Sequence, residues 1–257
     1  MHAEITFHLS TLFGFLLVLA RVSGVIVFVP IPGLSAGPDA SRIVLALALT
    51  VALGPLWPAP VADGVETGRL LGWMAAEAGF GLTVGVAVTF LLEGFQMAAQ
   101  VIGLQAGYSF ASTIDPNTQA DTTTLQLMAQ LFAGCLFFAF GFDRQVIQIL
   151  AKSLERFPSG TYSLSEPAAE AIARLGSGIF SIGLQLAMPV LGLLLLLNIA
   201  FGVLGRLQTQ LQLQSLSFAV KMLVGLAFLA GVLTFFPPVF ERGGAVTFAI
   251  LRRILTH

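Results

Sequence analysis

Residues 179–204 read IFSIGLQLAMPVLGLLLLLNIAFGVL, 26 positions without one Asp, Glu, Lys or Arg. An uncharged apolar run of more than 18 residues is long enough to cross a bilayer as a helix, which satisfies its own backbone N–H and C=O groups where no water can. Outward from it, apolar stretches recur at residues 12–29, 43–57, 70–92, 125–142 and 216–240, so the sequence predicts about six helical segments. Composition agrees: of 257 residues 56% are hydrophobic and 10% charged, with a mean hydropathy of +0.92. A soluble domain carries about 25% charged residues, which it needs to cover its outside. The expected fold class is all-α, a hydrophobic helical membrane-associated protein.

Several function classes fall away. Twelve Lys and Arg against 13 Asp and Glu leave no surplus of cations for phosphates, so no nucleic acid is expected as a partner. Cys135 stands alone in an apolar run, and His2, His8 and His257 lie at the chain ends, away from any general-base or metal-ligand position in the body of the protein. There is no HExxH, P-loop or CxxC, and Ser217 and Lys221, although four apart, lack a recognisable oxyanion site. The chain is expected to be no enzyme and to hold no cofactor or metal. Residues 1–10 contain Glu4 and no Lys or Arg, the wrong flank for a secretion signal, so residues 12–29 are read as a retained first helix.

Prolines punctuate the segments: Pro30, Pro32 and Pro38 after the first, Pro55, Pro58 and Pro60 at the end of the second, and Pro237 with Pro238 inside the end of the last. Asp121 and Ser165 read as helix N-caps, the latter followed by Pro167 near the first helical position. Two features are unlike ordinary lipid spans. Residues 43–57 would make about 22 Å of helix against a hydrocarbon core of about 30 Å. Arg21, Glu77, Glu93, Arg206 and Lys221 lie within or beside apolar runs, where a charge costs about 2.5–3.5 kcal/mol at mid-bilayer and seeks a partner or water. Glycines at 79, 81, 85, 178, 183, 192, 202 and 205 occupy helical patterns, with Gly81 and Gly85 forming a small-xxx-small pair suited to close helix packing.

Two stretches stand out. Glu93, Gln96 and Gln100 form one polar stripe on an apolar helix, a stripe that faces water or polar neighbours such as a pore. After Gly103 and Gly107 comes Tyr108-Ser-Phe-Ala-Ser-Thr-Ile-Asp115-Pro116-Asn117, a loop of bulky apolar and small hydroxyl side chains that proline bars from continuing as helix. It reads either as a pore-occluding loop or as an ordinary external connection. The second stretch alternates Gln208, Gln210, Gln212 and Gln214 between Arg206 and Lys221. It reads as a hairpin turn whose carboxamides bridge to neighbouring subunits, or as a solvated turn. Glu77 and Glu93 keep a proton-coupled small-molecule carrier open as the alternative.

Arg21 with Pro30 and Arg42, then Gly103-Leu-Gln105-Ala-Gly107-Tyr-Ser-Phe-Ala with Asp115-Pro116, then Pro189, Asn198 and Arg206, resemble the FliR/SctT family of export-gate subunits over almost the whole chain. The Gly-Leu-Gln to Asp-Pro block is the most specific part. The resemblance implies one copy assembled with several copies of FliP and FliQ, and FlhB as a further partner, in a gate at the flagellar basal body in the bacterial inner membrane. Unfolded export substrates pass through that gate, and membrane lipid surrounds it. It implies a FliP-like helical region over residues 1–178 and a FliQ-like helical hairpin with a C-terminal tail over 179–257. The plug role would fall on a loop at about 104–120: Gln105, Gly107, Tyr108, Ser109, Phe110, Ala111, Ser112, Thr113, Ile114, Asp115 and Pro116. Arg206, Gln208, Gln210, Gln212, Gln214 and Lys221 would form the turn at the cytoplasmic mouth. The chain departs from the family after Arg206, where a Pro-Gln pair is usual and Thr209-Gln210 stands here. The positive-inside count, eight Lys and Arg against two, puts both termini in the cytoplasm but residues 205–215 outside, opposite to the family's arrangement. The family arrangement is preferred, since short spans and embedded charges suit a chain largely withdrawn from lipid into an assembly.

Overall fold

The computed structural model describes residues 9–29, 39–58, 67–108, 124–157, 160–163, 165–207, 213–232 and 234–254. Among these residues the fold is all-helical: α1 Leu9–Phe28, α2 Asp39–Ala52, a 3-10 turn Gly54–Leu56, α3 Thr67–Ala106, α4 Thr124–Ala139, α5 Phe142–Arg156, α6 Glu166–Leu207, α7 Leu213–Val232 and α8 Phe236–Ile254.

The six expected segments are redistributed. No proline interrupts residues 67–106, so the third apolar run and the polar stripe after it form one helix of 40 residues. At 1.5 Å per residue it is roughly 60 Å long, twice the thickness of a hydrocarbon core. Helix α6 is similar, at 42 residues with Pro189 inside it. The run at 125–142 forms α4, which ends within three residues of the expected limit, and Gly141, at φ +67 in a left-handed conformation open to glycine, stands at the break before α5. Residues 143–156, which lie between two of the expected apolar segments, form most of amphipathic α5. Pro237 and Pro238 do not lie inside the end of a helix but in the first turn of α8, where a missing N–H leaves no partner unsatisfied. Ser165 caps α6 as expected, its Oγ accepting from the Ala168 N–H at 3.4 Å. Asp121 lies outside the described residues. Among the described residues three helical stretches are long and apolar enough to span a membrane, Thr11–Phe28, Gly68–Ala106 and Ala168–Leu207, or four if the bent α4–α5 pair is taken as one span. Ala40–Ala52 is a shorter apolar helix, and Leu216–Ala227 is an apolar stretch of α7.

The chain divides into two compact units, Met1–Thr89 with Phe137–Leu175 and Val246–His257, and Phe90–Leu136 with Gly176–Ala245. In the first, the backbones of α1 and α3 almost touch. Glu77, Gly81, Gly85 and Thr89 are spaced by four and present one ridge of α3 to Arg21, Gly24 and Phe28 of α1. A Cβ on Gly81 would run into the Arg21 carbonyl and lie 3.0 Å from the Gly24 Cα, and one on Gly85 would lie 2.9 Å from the Phe28 Cβ. The small pair expected from sequence therefore works inside this chain. Gly79, Gly178, Gly192 and Gly202 meet nothing within 4 Å.

The close approach buries two charges, Arg21 and Glu77, each about 1% exposed. Arg21 Nε donates to Glu77 Oε2, and its Nη1 donates to Ser153 Oγ at 2.9 Å. Glu77 Oε1 accepts the Gly160 N–H at 2.9 Å, and the Phe80 ring lies 4.9 Å beneath the guanidinium. Each charge is thus paired and hydrogen-bonded, the condition under which burial is tolerated. The same contacts hold the turn after α5 on α3, helped by an edge contact between Phe80 and Tyr162 and a 3.0 Å bond between the Tyr162 and Thr83 hydroxyls. Beside them Val18, Val22, Ile26, Ala46 and Leu53 form an apolar core that includes Trp57.

The second unit has an aromatic centre, with Phe95 of α3 5.1 and 5.0 Å from Phe236 and Phe240 of α8, and Phe132 of α4 6.0 Å from Phe236. Gly94 and Gly183 bring α3 and α6 together: a Cβ on Gly183 would lie 3.1 Å from the Gly94 carbonyl. Much of α6 keeps its apolar side chains outward, including Phe180, Leu184, Met188, Leu195, Leu196, Ile199, Val203 and Leu207. Residues so apolar and so exposed belong against lipid or protein.

Candidate functional site

The C-terminus of α3 lies in the second unit and carries the start of the Gly-Leu-Gln block. Its last carbonyls need donors, and Gly107 provides the geometry: at φ +89 it turns the chain into the left-handed region, a conformation costly for any residue with a Cβ. The Gly107 N–H then reaches Gly103 O at 3.1 Å and Leu104 O at 3.3 Å, and the Tyr108 N–H reaches Gly103 O at 2.9 Å. This is a Schellman cap, and it explains why glycine stands at 107.

Helix α7 packs against this cap along one stripe. The Phe218 ring occupies the place a side chain at 107 would take, with Cε2 2.6 Å from an ideal Cβ. The Tyr108 hydroxyl donates to the Met222 carbonyl at 2.8 Å. A Cβ on Gly225 would lie 3.1 Å from the Ala106 Cβ. Phe218, Met222 and Gly225 are at i, i+4 and i+7, so one face of α7 reads three consecutive residues at the exit of α3. Burial pushes the Tyr108 phenol above its ordinary value.

The structure thus brings together two stretches that are more than 100 residues apart in sequence, the block at 103–108 and the helix that follows the glutamine-rich stretch. Upstream, Glu93 and Gln96 are half-buried and joined by a 3.3 Å bond from Gln96 Nε2 to Glu93 Oε1, while Gln100 and Gln105 are exposed. Arg206 is exposed in the last turn of α6, and Lys221 is half-buried on α7. Ser109, Phe110, Ala111, Ser112, Thr113, Ile114, Asp115, Pro116, Gln208, Gln210 and Gln212 lie outside the described residues, as does the side chain of Gln214. Sequence reading missed Phe218, Met222 and Gly225 as partners of the block, and Ser153 and Gly160 as partners of the buried pair. Nothing in one chain links positions so far apart. Of the two carboxylates on which a carrier would rest, Glu77 is already engaged by Arg21 and the Gly160 N–H.

The sequence pattern of the bacterial export proteins, family 1, matches residues 12–244. This chain belongs to that family. Its similarity to Flagellar biosynthetic protein FliR of Escherichia coli (strain K12) is 30% identity over 240 residues, 93% of this chain and 91% of the relative. The protein of the same name from Pectobacterium carotovorum subsp. carotovorum is 32% identical over 177 residues, 69% and 68% of the two chains. That of Caulobacter vibrioides is 28% identical over 216 residues, covering 83% and 86%. The FliR/SctT resemblance read from the residues is borne out, and in this family member the α3 exit is the part of the specific block whose geometry can be described.

Proposed function

We propose that the chain is a subunit of a flagellar type III protein export gate in the bacterial inner membrane, forming with FliP and FliQ a gated channel for unfolded export substrates. FlhB is a further partner at the basal body. The carrying observation is the family match over residues 12–244, a range that includes the Gly103-to-Pro116 block and both long apolar helices. The outward apolar surface of α6 suits contact with lipid and with neighbouring subunits.

In this reading residues 1–178 correspond to a FliP-like part and 179–257 to a FliQ-like hairpin and tail. The plug expected over about 104–120 is shortened at its start, because Leu104–Ala106, Gln105 included, belong to α3; the chain beyond the cap at Gly107 and Tyr108 plugs the channel, Phe110 and Ile114 sealing it by excluding water. Glu93, Gln96 and Gln100 line the pore side, and Arg206, Gln208, Gln210, Gln212, Gln214 and Lys221 form the cytoplasmic mouth. Native mass spectrometry of the tagged chain, gently extracted from its own membranes, tests the reading. One copy bound to several copies of two other small membrane proteins is expected. A symmetric homo-oligomer, with dissociation excluded, overturns it. For the plug, deletion of residues 109–118 should raise ion leak across the membrane, and an unchanged leak removes that role.

A further inference from the structure

The first compact unit holds a cavity of about 670 Å³ between the start of α6 and the end of α8. Its walls are of two kinds. Ala171, Ile250 and Ile254 are apolar, while Ser165, Glu170, Arg174 and Arg253 bring polar groups to the same space. Two guanidinium groups against one carboxylate leave the lining with one positive charge in excess. A guanidinium presents its N–H groups as a planar fork that matches the oxygens of a phosphate.

The carboxylate does not commit its neighbour. Arg174 Nη2 donates to Glu170 Oε1 at 2.7 Å, but the two side chains are 75% and 64% exposed, and so open an ion pair is screened by water and yields to a better-matched anion. Ser165 Oγ accepts the Ala168 N–H as the cap of α6, which leaves the hydroxyl hydrogen to donate. Position along the helix adds the second argument. Arg174 lies five residues before the uncharged run at 179–204, so about 7.5 Å of helix separates it from a stretch able to cross the hydrocarbon core by itself. That is the depth of lipid headgroups, where basic pockets between helices hold anionic lipids.

We propose that this cavity binds the headgroup of an anionic phospholipid. Arg174 and Arg253 hold the phosphodiester, the Ser165 hydroxyl donates to a headgroup oxygen, and Ile250 with Ile254 receives the first part of an acyl chain. A free phosphate would use the polar wall alone, whereas the apolar wall and the nearby membrane-crossing run select a lipid. The excess positive charge matches the single negative charge of a phosphatidylglycerol-type diester. Arg252, beside Arg253 in sequence, instead donates to Gln145 Oε1 at 3.1 Å and takes no part in the cavity.

The test uses the full chain as extracted from its own membranes, freed of loosely held lipid by detergent exchange, and counts bound lipids by native mass spectrometry. Phosphatidylglycerol should fill one site at concentrations about ten-fold below those that phosphatidylcholine requires, the difference expected from charge-assisted bonds to a net anion. Arg174→Gln combined with Arg253→Gln should weaken that site about ten-fold, and Arg252→Gln should bind as the parent does. Glu170→Gln, which removes the competing carboxylate, should tighten it. Equal retention of the two lipids by the parent overturns the proposal without any variant. So does unchanged phosphatidylglycerol binding in the double variant. Displacement of the bound lipid by inorganic phosphate overturns the choice of a lipid over a free anion.

Discussion

The two compact units solve the same packing problem by different means. In the unit containing α1, close backbone contact is combined with two buried charges that have specific partners: Arg21 on Glu77 and Ser153, Glu77 on Arg21 and Gly160. In the unit around Phe95 the centre is aromatic and the close approaches at Gly94, Gly183 and Gly225 join apolar helix faces. Directional polar contacts define one arrangement and punish the loss of any member, whereas apolar packing tolerates exchange of similar volumes. The contrast teaches that rigidity is built by charge where α1 must stay on α3, and by ring contacts and close glycine approaches around Phe95.

Glu77→Ala should give the largest effect, because it leaves Arg21 buried without its counter-charge, at a cost of about 3–5 kcal/mol. Loss of the chain from membranes in a pulse-chase is the readout, and Arg21→Met with Glu77→Leu should be much milder; equal damage from both would break the comparison. Gly81→Ala follows at about 1–3 kcal/mol, since the new Cβ meets the Arg21 carbonyl and only separation of α1 from α3 relieves it. Thermal unfolding in detergent should show a lower midpoint than for Gly79→Ala, whose Cβ meets nothing. In the aromatic unit Phe95→Leu should cost less than about 1.5 kcal/mol after repacking; a loss as large as that of Glu77→Ala would erase the distinction between the units.

The smallest effect concerns Tyr162, whose phenol is pushed up by burial, with its bond to Thr83 opposing. Phenolate absorbance from Tyr162 should appear at higher pH than from free tyrosine. Its stabilising contribution is complete below the unfolded phenol's ordinary value and is lost as pH rises through the higher folded value. A Tyr162→Phe variant with an unchanged alkaline titration would remove this assignment.

The all-helical fold class was legible in residues 179–204 because an uncharged run has few other ways to satisfy its backbone in apolar surroundings. The need of Arg21 and Glu77 for partners was legible too, since a charge in an apolar run carries a fixed cost, and so was the close packing at Gly81 and Gly85. The positions of Pro237 and Pro238 were visible, yet their effect was misjudged: the pair started a helix instead of lying in the end of one. What only tertiary structure decided is who meets whom. Arg21 finding Ser153, Glu77 finding the Gly160 N–H, and Gly107 lying beneath Phe218 are contacts between positions 83 to 132 residues apart. Local periodicity carries the direction in which a side chain points along its own helix, while its partner depends on how distant helices cross.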